Sequence, residues 1–324
     1  MMTANKKNHT IVKRLSLIAA ISLFISSCAA TRDQEVTSSP LNQLALDPAP
    51  LPHYKPGTKF VYSNGTWETV TQVGTDGVTW TNHRGDQSTG LSDFTHKRHT
   101  WQTRDRQGNR WYDQTKFWLG ETTTTLWPLQ PGNKTRFDEY GLWSDSSGVE
   151  RDYDSYWSCE VKGTEKISVV AGDFETWKIT CKRYPNRFRS TSKTREYRTW
   201  YYAPSIDHWV LEVRDYNGYR ENRRKELAAI LPDLGSYAEQ DEDIVALKKQ
   251  FQNTLETSKT GIPDIWENPR GQLFVSITPK KSFRLGNGNV CRQYQQVIGT
   301  AGYANEYPGI ACRSKEGRWI VPRR

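Results

Sequence analysis

The stretch that decides the fold is KFVYSNGTWETVTQV, Lys59–Val73. Two runs of aromatic and β-branched residues flank Ser63-Asn64-Gly65-Thr66. Such residues fit a pleated, half-buried surface. Asn-Gly supplies the positive-φ positions that a type I′ hairpin turn needs. The same pattern repeats along the chain. Gly74-Thr75-Asp76-Gly77 turns into Val78-Thr79-Trp80-Thr81, and Gln107-Gly108 separates Thr100-Trp101-Gln102 from Arg110-Trp111-Tyr112. Tyr156–Val161, Glu165–Val170, Phe174–Cys181, Arg195–Tyr202 and His208–Arg214 follow as further strand runs. No helical period interrupts them. Short strands at regular spacing predict an all-β, mainly antiparallel domain over residues 54–226, either a large β sandwich or an open half-barrel.

Alternation assigns one face. Trp157, Cys159 and Val161 share a side of their strand, as do Trp177, Ile179 and Cys181. A disulfide between Cys159 and Cys181 would then join two core positions. A tight hairpin centred near Gly172 would put Cys181 opposite about Gly163, too far from Cys159 for a bridge. Gly163 is therefore expected to mark a bulge or a strand break, unless the two cysteines do not pair directly.

Working outward toward the C-terminus, the period changes. Ile244, Leu247, Phe251 and Leu255 recur at i, i+3, i+7 and i+11, the stripe of an amphipathic helix. Asp241, Glu242 and Asp243 suit its positive N-terminal end, and Gly261 and Pro263 stop it. The helix is placed at about Asp241 to Thr257, within a helical connector over 227–261. Strand runs return at Leu273–Ile277, Val290–Val297, Gly309–Arg313 and Trp319–Val321, giving a small β domain over 262–324 that Cys291 and Cys312 would staple.

Toward the N-terminus, Lys6, Lys7, Lys13 and Arg14 precede an apolar run, Leu15–Ile25, that ends on Ser26-Ser27-Cys28. This is the layout of a secretory signal over 1–27. The apolar run is too short for a spanning helix, which needs about 20 residues. Ile25-Ser26-Ser27-Cys28 resembles the bacterial lipobox. The resemblance implies that Cys28 carries a diacylglycerol thioether and a further N-acyl chain such as palmitate, and becomes the mature N-terminus. An ordinary signal peptide with a chance cysteine is the alternative. Residues 28–53, poor in aromatics and rich in Ser, Thr, Pro and Asp, read as a flexible tether.

Of the 324 residues, 45 are basic and 36 acidic, and four of the basic ones lie ahead of Cys28. The remaining 41 against 36 is a mild cationic bias. It suits an anionic membrane surface or cell-wall polymer and, with an export signal, argues against nucleic acid. The 13 Trp and 16 Tyr suit an all-β core, with a carbohydrate or lipid platform as the functional alternative. Besides Cys28 there are four cysteines, and an even count in an exported chain implies disulfides. Spacing favours Cys159–Cys181 and Cys291–Cys312. Each would close a loop of about 20 residues, worth roughly 3 kcal/mol in the chain-entropy view. A zinc site is the runner-up, but no C-x₂₋₄-C knuckle is present.

Two resemblances follow. Trp266-Glu267-Asn268-Pro269-Arg270-Gly271, Ser276-Ile277-Thr278-Pro279, Cys291-Arg292-Gln293-Tyr294, Ala311-Cys312-Arg313 and Gly317-Arg318-Trp319 resemble the C-terminal domain of the proteobacterial 17 kDa surface-antigen lipoproteins. That implies an outer-membrane lipoprotein with a small β-rich end domain and no established enzymatic role. The glycine-zipper segment usual in that family is absent. Leu126-Trp127-Pro128-Leu129-Gln130-Pro131-Gly132, Cys159-Glu160-Val161, Ala171-Gly172-Asp173-Phe174 and Trp200-Tyr201-Tyr202-Ala203-Pro204 more loosely resemble a group of uncharacterised exported proteins. Some of these have been compared with the open barrels of periplasmic lipoprotein carriers.

No G-x-S-x-G, H-E-x-x-H or Walker loop is present. No cofactor and no metal site are expected. His96-Lys97-Arg98-His99 reads as a solvated basic loop, since neighbouring cations repel a metal ion. Asp152 and Asp154 read as turn chemistry after Gly148. The densest basic run holds Arg183, Arg187, Arg189, Lys193 and Arg195. It reads as a solvated loop or as a contact for lipopolysaccharide phosphates or peptidoglycan carboxylates.

The expectation is a non-enzymatic lipoprotein of the cell outer membrane, facing the periplasm or the cell surface. It would be held by its lipid anchor and serve as a structural, surface-antigen or adaptor component, with peptidoglycan, lipopolysaccharide or an envelope protein as partner. The alternatives are a carrier or binder of acyl chains, which needs a contiguous apolar cavity, and a cell-wall hydrolase, which needs convergent ionisable groups in a cleft.

Overall fold

Twelve strands carry the first two thirds of the chain: β1 (Lys59–Tyr62), β2 (Trp67–Gly74), β3 (Gly77–Asn82), β4 (Gln87–Gly90), β5 (Thr100–Arg104), β6 (Trp111–Thr122), β7 (Lys134–Ser144), β8 (Glu150–Val169), β9 (Gly172–Pro185), β10 (Glu196–Ala203), β11 (His208–Asp215) and β12 (Arg223–Leu231). The computed structural model describes residues 46–104, 111–122, 125–144, 149–185, 194–238, 240–285, 288–300 and 302–323. Cys28, Arg187, Arg189, Lys193 and the Gln107-Gly108 turn lie outside the described residues.

Each strand pairs antiparallel with the next. β12 then returns to β1, with Lys59 opposite Leu231 and Phe60 opposite Ile230. The two edges that a half-barrel would leave open are thus joined, and the sheet is a closed up-and-down ring. Its interior is packed at one end by the Cys159–Cys181 bridge, Val161, Trp177 and Ile179, all buried. The Leu126-Trp127-Pro128-Leu129 segment packs there too, with Leu126, Trp127 and Leu129 buried.

The expected bulge is present. Val161 faces Ile179, but Gly163 faces Lys178, and the slip of one residue sets Cys159 directly opposite Cys181. The hairpin centre expected near Gly172 is corrected. The turn is Val170-Ala171, between Val169 and Gly172, so one bulge suffices to align the cysteines.

Residues 227–231, which the sequence reading gives to the connector, are the second half of β12. Leu227, Ala228, Ala229 and Ile230 are all buried. A strand covered on both faces shows a continuous apolar run that periodicity cannot tell from a helix. The end of the tether also departs from expectation. Ala49 bridges Leu129 through two backbone hydrogen bonds, and Pro48-Ala49-Pro50 lies against the barrel rather than free of it.

Beyond β12, helix α1 (Asp241–Thr257) precedes a meander of β13 (Asp264–Glu267), β14 (Leu273–Arg284), β15 (Val290–Thr300), β16 (Tyr303–Arg313) and β17 (Trp319–Ile320). Cys291 and Cys312 face each other across β15 and β16 and are bridged. This sheet meets the barrel where Ala229 of β12 pairs with Gly309 of β16. Val61, Ala229, Tyr294, Ala311 and Trp319 make a second core there. The family-like motifs are the fastenings of α1. Asn268 accepts from the N–H groups of Gln272 and Leu273 and donates to Asp243. Trp319 Nε1 donates to Glu256. No helix among the described residues is long and apolar enough to cross a membrane.

Candidate functional site

The site begins with the loop between β4 and β5. Asp93 Oδ1 accepts from the backbone N–H and the hydroxyl of Thr95, which curls the loop. Phe94 then inserts among Trp127, Trp200 and Tyr202, with ring centroids 5.7–5.9 Å away. This draws His96, Lys97 and Arg98 into the mouth of the barrel. The solvated basic loop expected here is corrected: the His96 side chain is 8% exposed, and those of Lys97 and Arg98 are 23% exposed. The apolar anchor outweighs the preference of the cations for water, because carboxylates already wait inside.

Those carboxylates come from alternate positions of the strands. Glu68 of β2 accepts from Arg98 Nη2 at 3.0 Å, with Lys225 Nζ at 3.8 Å and the Tyr62 hydroxyl at 3.3 Å. Arg98 also donates to Ser88 Oγ at 2.7 Å and lies over the Trp80 ring at 4.9 Å. Burial would raise the Glu68 carboxyl, but Arg98 and Lys225 outweigh it and hold it at about 2. Glu139 accepts from the Lys97 backbone N–H and from Trp157 Nε1, both at 3.0 Å. Its side chain lies 3.8 Å from Lys97 Nζ. Burial pulls the Lys97 amine down to about 7, against the opposing pull of Glu139.

Toward β9–β11, Glu196 takes Arg183 Nε at 3.0 Å and both Nε and Nη2 of Arg198 at 2.9 and 2.6 Å. Arg214 reaches Glu212 at 2.8 Å. His208 stacks on Phe60 at 3.8 Å and meets the hydroxyls of Tyr54 and Tyr62. Burial drives its pKa well down, so the ring is neutral.

Of these groups Glu68, Lys97, Arg98, Arg198, Arg214 and Lys225 line a cavity of about 520 Å³ with walls that include Trp80, Trp101, Trp200 and Trp209, while Glu139, Arg183 and Glu196 are not part of its lining. It has the volume of a small-molecule site but not the apolar lining that an acyl carrier needs. Trp80 and Trp101 line it, whereas Trp177 is locked in the core. Among the described residues, no group of three or more His, Cys, Asp or Glu side chains is arranged to hold a metal ion.

The basic run of the sequence divides. Arg183 and Arg198 turn inward onto Glu196, whereas Arg195 is exposed with its guanidinium over the Tyr219 ring at 5.0 Å. Asp152 and Asp154 are exposed on β8, opposite Leu142 and Tyr140, rather than in a turn. The sequence reading did not single out Glu68 or Lys225 and took Lys97 and Arg98 as solvated; only Glu68, beside Trp67, and Arg198, between Tyr197 and Trp200, carry a sequence signal, a charge set among aromatics on a strand.

Comparison with known proteins concerns the other end of the chain. Residues 253–320 match the family described as the 17 kDa outer membrane surface antigen. The 17 kDa surface antigens of Rickettsia conorii and Rickettsia rickettsii are 35% identical over 83 residues, covering 26% of this chain and 51% of each relative. That of Rickettsia prowazekii is 34% identical over 83 residues. The chain spans about half the length of the curated relatives it matches. Among solved structures, the hypothetical lipoprotein YmcC from Escherichia coli aligns over 52% of this chain and 82% of its own, at TM-score 0.34 and 9% identity. The similarity of the C-terminal region supports a surface or envelope protein. The matched residues lie outside the cavity lining.

Proposed function

We propose that this protein is a lipid-anchored component of the outer membrane whose barrel binds a small ligand and breaks no bonds. The lipobox-like Cys28 and the surface-antigen relatives support the location. The observation that carries binding is the walled cavity, whose charges are held in fixed positions by one another and by aromatic rings. Preorganised polar groups around a concave space are what a specific small-molecule site requires. An acyl chain fits poorly, because it would have to lie against ion pairs. Hydrolysis by paired carboxylates is disfavoured, because it needs one carboxyl with a raised pKa, and those of Glu68 and Glu196 are pulled down by arginines despite burial. Lipopolysaccharide, peptidoglycan or an envelope protein would meet the outer surface rather than the cavity.

The test is native mass spectrometry of the full-length protein extracted from membranes. The expected native spectrum carries a small-molecule adduct that the denatured spectrum lacks, while the N-terminal peptide carries acylated Cys28. Identical native and denatured masses, or an unmodified Cys28 thiol, would overturn the corresponding half of the proposal.

A further inference from the structure

We infer that the outer face of β6 and β7 lies against the membrane that holds the anchor, with Trp118 and Tyr140 among zwitterionic lipid headgroups. This rests on the lipid-anchor half of the reading above and specifies which side of the barrel the membrane meets. Strand alternation turns Phe117 and Leu119 of β6 and Phe137 and Glu139 of β7 inward, so Trp118 and Tyr140 point out. The two are directly opposite in register and stack, with ring centroids 6.3 Å apart and planes 22° from parallel. Even so they remain 48% and 46% exposed. The outward positions around them, Lys116, Arg136 and Asp154, are exposed and charged, so the rings are the exception on this wall. They also begin a row. Tyr156 of β8 faces Tyr184 of β9 at 6.0 Å, and on β10 Tyr197 and Tyr201 lie under Lys182 and Lys178 at 5.8 and 5.4 Å. Contiguous aromatic surface left open to water marks a contact face.

The course of the chain selects the occupant. Ala49 is bonded to Leu129, which lies in the segment joining β6 to β7. The first described residue is Leu46, so eighteen residues, 28–45, separate it from Cys28. A coil of that length spans roughly 21–25 Å root-mean-square. Trp118 stands four residues before the end of β6 at Thr122, about 13 Å along the strand. An acylated Cys28 therefore keeps this wall, more than any other, within reach of the bilayer. The chemistry agrees. Trp and Tyr gather at membrane–water interfaces, where an apolar ring and a polar tip are both accommodated, and lysine stems reach past such rings while their heads stay in water. Charges of both signs flank the pair, Lys116 on β6 and Asp154 opposite Tyr140. A headgroup carrying both a phosphate and an ammonium complements that mixture better than a strongly anionic surface does.

The experiment reconstitutes the full-length acylated protein into phosphatidylcholine–phosphatidylethanolamine vesicles doped with lipids brominated either near the headgroup or near the bilayer centre, and reads tryptophan quenching. Shallow bromines are expected to quench and deep ones to do so far less. Trp118→Phe, which keeps an aromatic ring and removes its indole emission, should remove most of the shallow quenching. Trp67→Phe, on β2 four strands further round the ring, should leave it unchanged. The signal should persist at high salt, because a zwitterionic surface has no net field to screen. No shallow quenching, quenching unaltered by Trp118→Phe, an equal loss in Trp67→Phe, or quenching that needs anionic lipid and vanishes with salt would each overturn the inference. So would a Trp118 emission shift produced in lipid-free detergent by solubilised peptidoglycan or by raised protein concentration, which would give the face to a glycan or to a second copy of the chain. Mass spectrometry of Cys28 in the same sample separates the two readings. An unmodified thiol sinks the anchor, whereas acylated Cys28 without Trp118 quenching sinks only the face assigned here.

Discussion

At the scale of single residues, the interior charges set how stability depends on pH. Glu68 titrates at about 2 in the fold against an ordinary 4.5. Its contribution is therefore present above 4.5 and lost as pH falls from there toward 2. His208 acts earlier. Its folded pKa lies well below 6.5, so the unfolded chain takes up a proton first and stability falls as pH drops below 6.5. Urea midpoints followed from neutral to acid pH should therefore decline in two stages. Glu68→Gln should shrink the lower stage, to which Asp93 and Glu196 also contribute, and cost about 3 kcal/mol at neutral pH, because Arg98 is left without its carboxylate. Adding Arg98→Gln should recover part of that cost. A double variant no more stable than Glu68→Gln alone would show that the pair is not coupled. Lys97 works in the other direction. With its pKa at about 7 rather than 10.5, the folded chain releases a proton that the unfolded chain keeps between those values, so stability rises with pH across that window. Lys97→Met should flatten the rise of Tm above neutral pH. Its backbone bond to Glu139 is unaffected by the substitution.

At the scale of elements, Arg292 of β15 fastens the helix. It donates to the carbonyl of Leu255 at 2.7 Å and to that of Ser258 at 2.6 Å. The last carbonyls of a helix have no partner within it, and a cation there also meets the negative end of the dipole. Arg292→Met should cost about 2 kcal/mol and raise hydrogen exchange in the last turn of α1 first. Unchanged protection there would remove the capping role. Arg292 stands in the Cys-Arg-Gln-Tyr run that the sequence reading singled out, but only the fold reveals its partners. The hairpins, the bulge at Gly163 and the span of α1 were legible because turn residues and periodicity are local. β12 was not, because its Leu-Ala-Ala-Ile run is covered on both faces by residues remote in sequence. The cavity was illegible for the same reason. Nothing near His96-Lys97-Arg98 shows that Glu68 and Glu139 will meet it, or that Phe94 will pull the loop inward.

At the scale of the whole molecule, closing the ring and attaching the C-terminal sheet are one event, because both use β12. Its Leu227 and Ile230 belong to the main barrel core, and its Ala229 to the core shared with Tyr294 and Trp319. The backbones approach so closely at Ala229 and Gly309 that a Cβ added to Gly309 would lie 2.7 Å from Ala229 Cβ and 2.7 Å from the Tyr294 hydroxyl. Neither neighbour can retreat, since both are buried. Gly309→Val should therefore part β16 from β12 and destabilise by about 3 kcal/mol, the upper range for overpacking. The Cys291–Cys312 bridge should still form, because it lies within the β15–β16 hairpin. If the two parts depend on one another through β12, hydrogen exchange should quicken on both sides of the contact, in β1 as well as β16, while β3 on another part of the ring keeps its protection. Ala229→Gly in the same chain removes one of the two clashing atoms and should restore part of the lost stability. Loss of protection confined to β16, with β1 unchanged, would mean that the barrel closes without help from the sheet beside it.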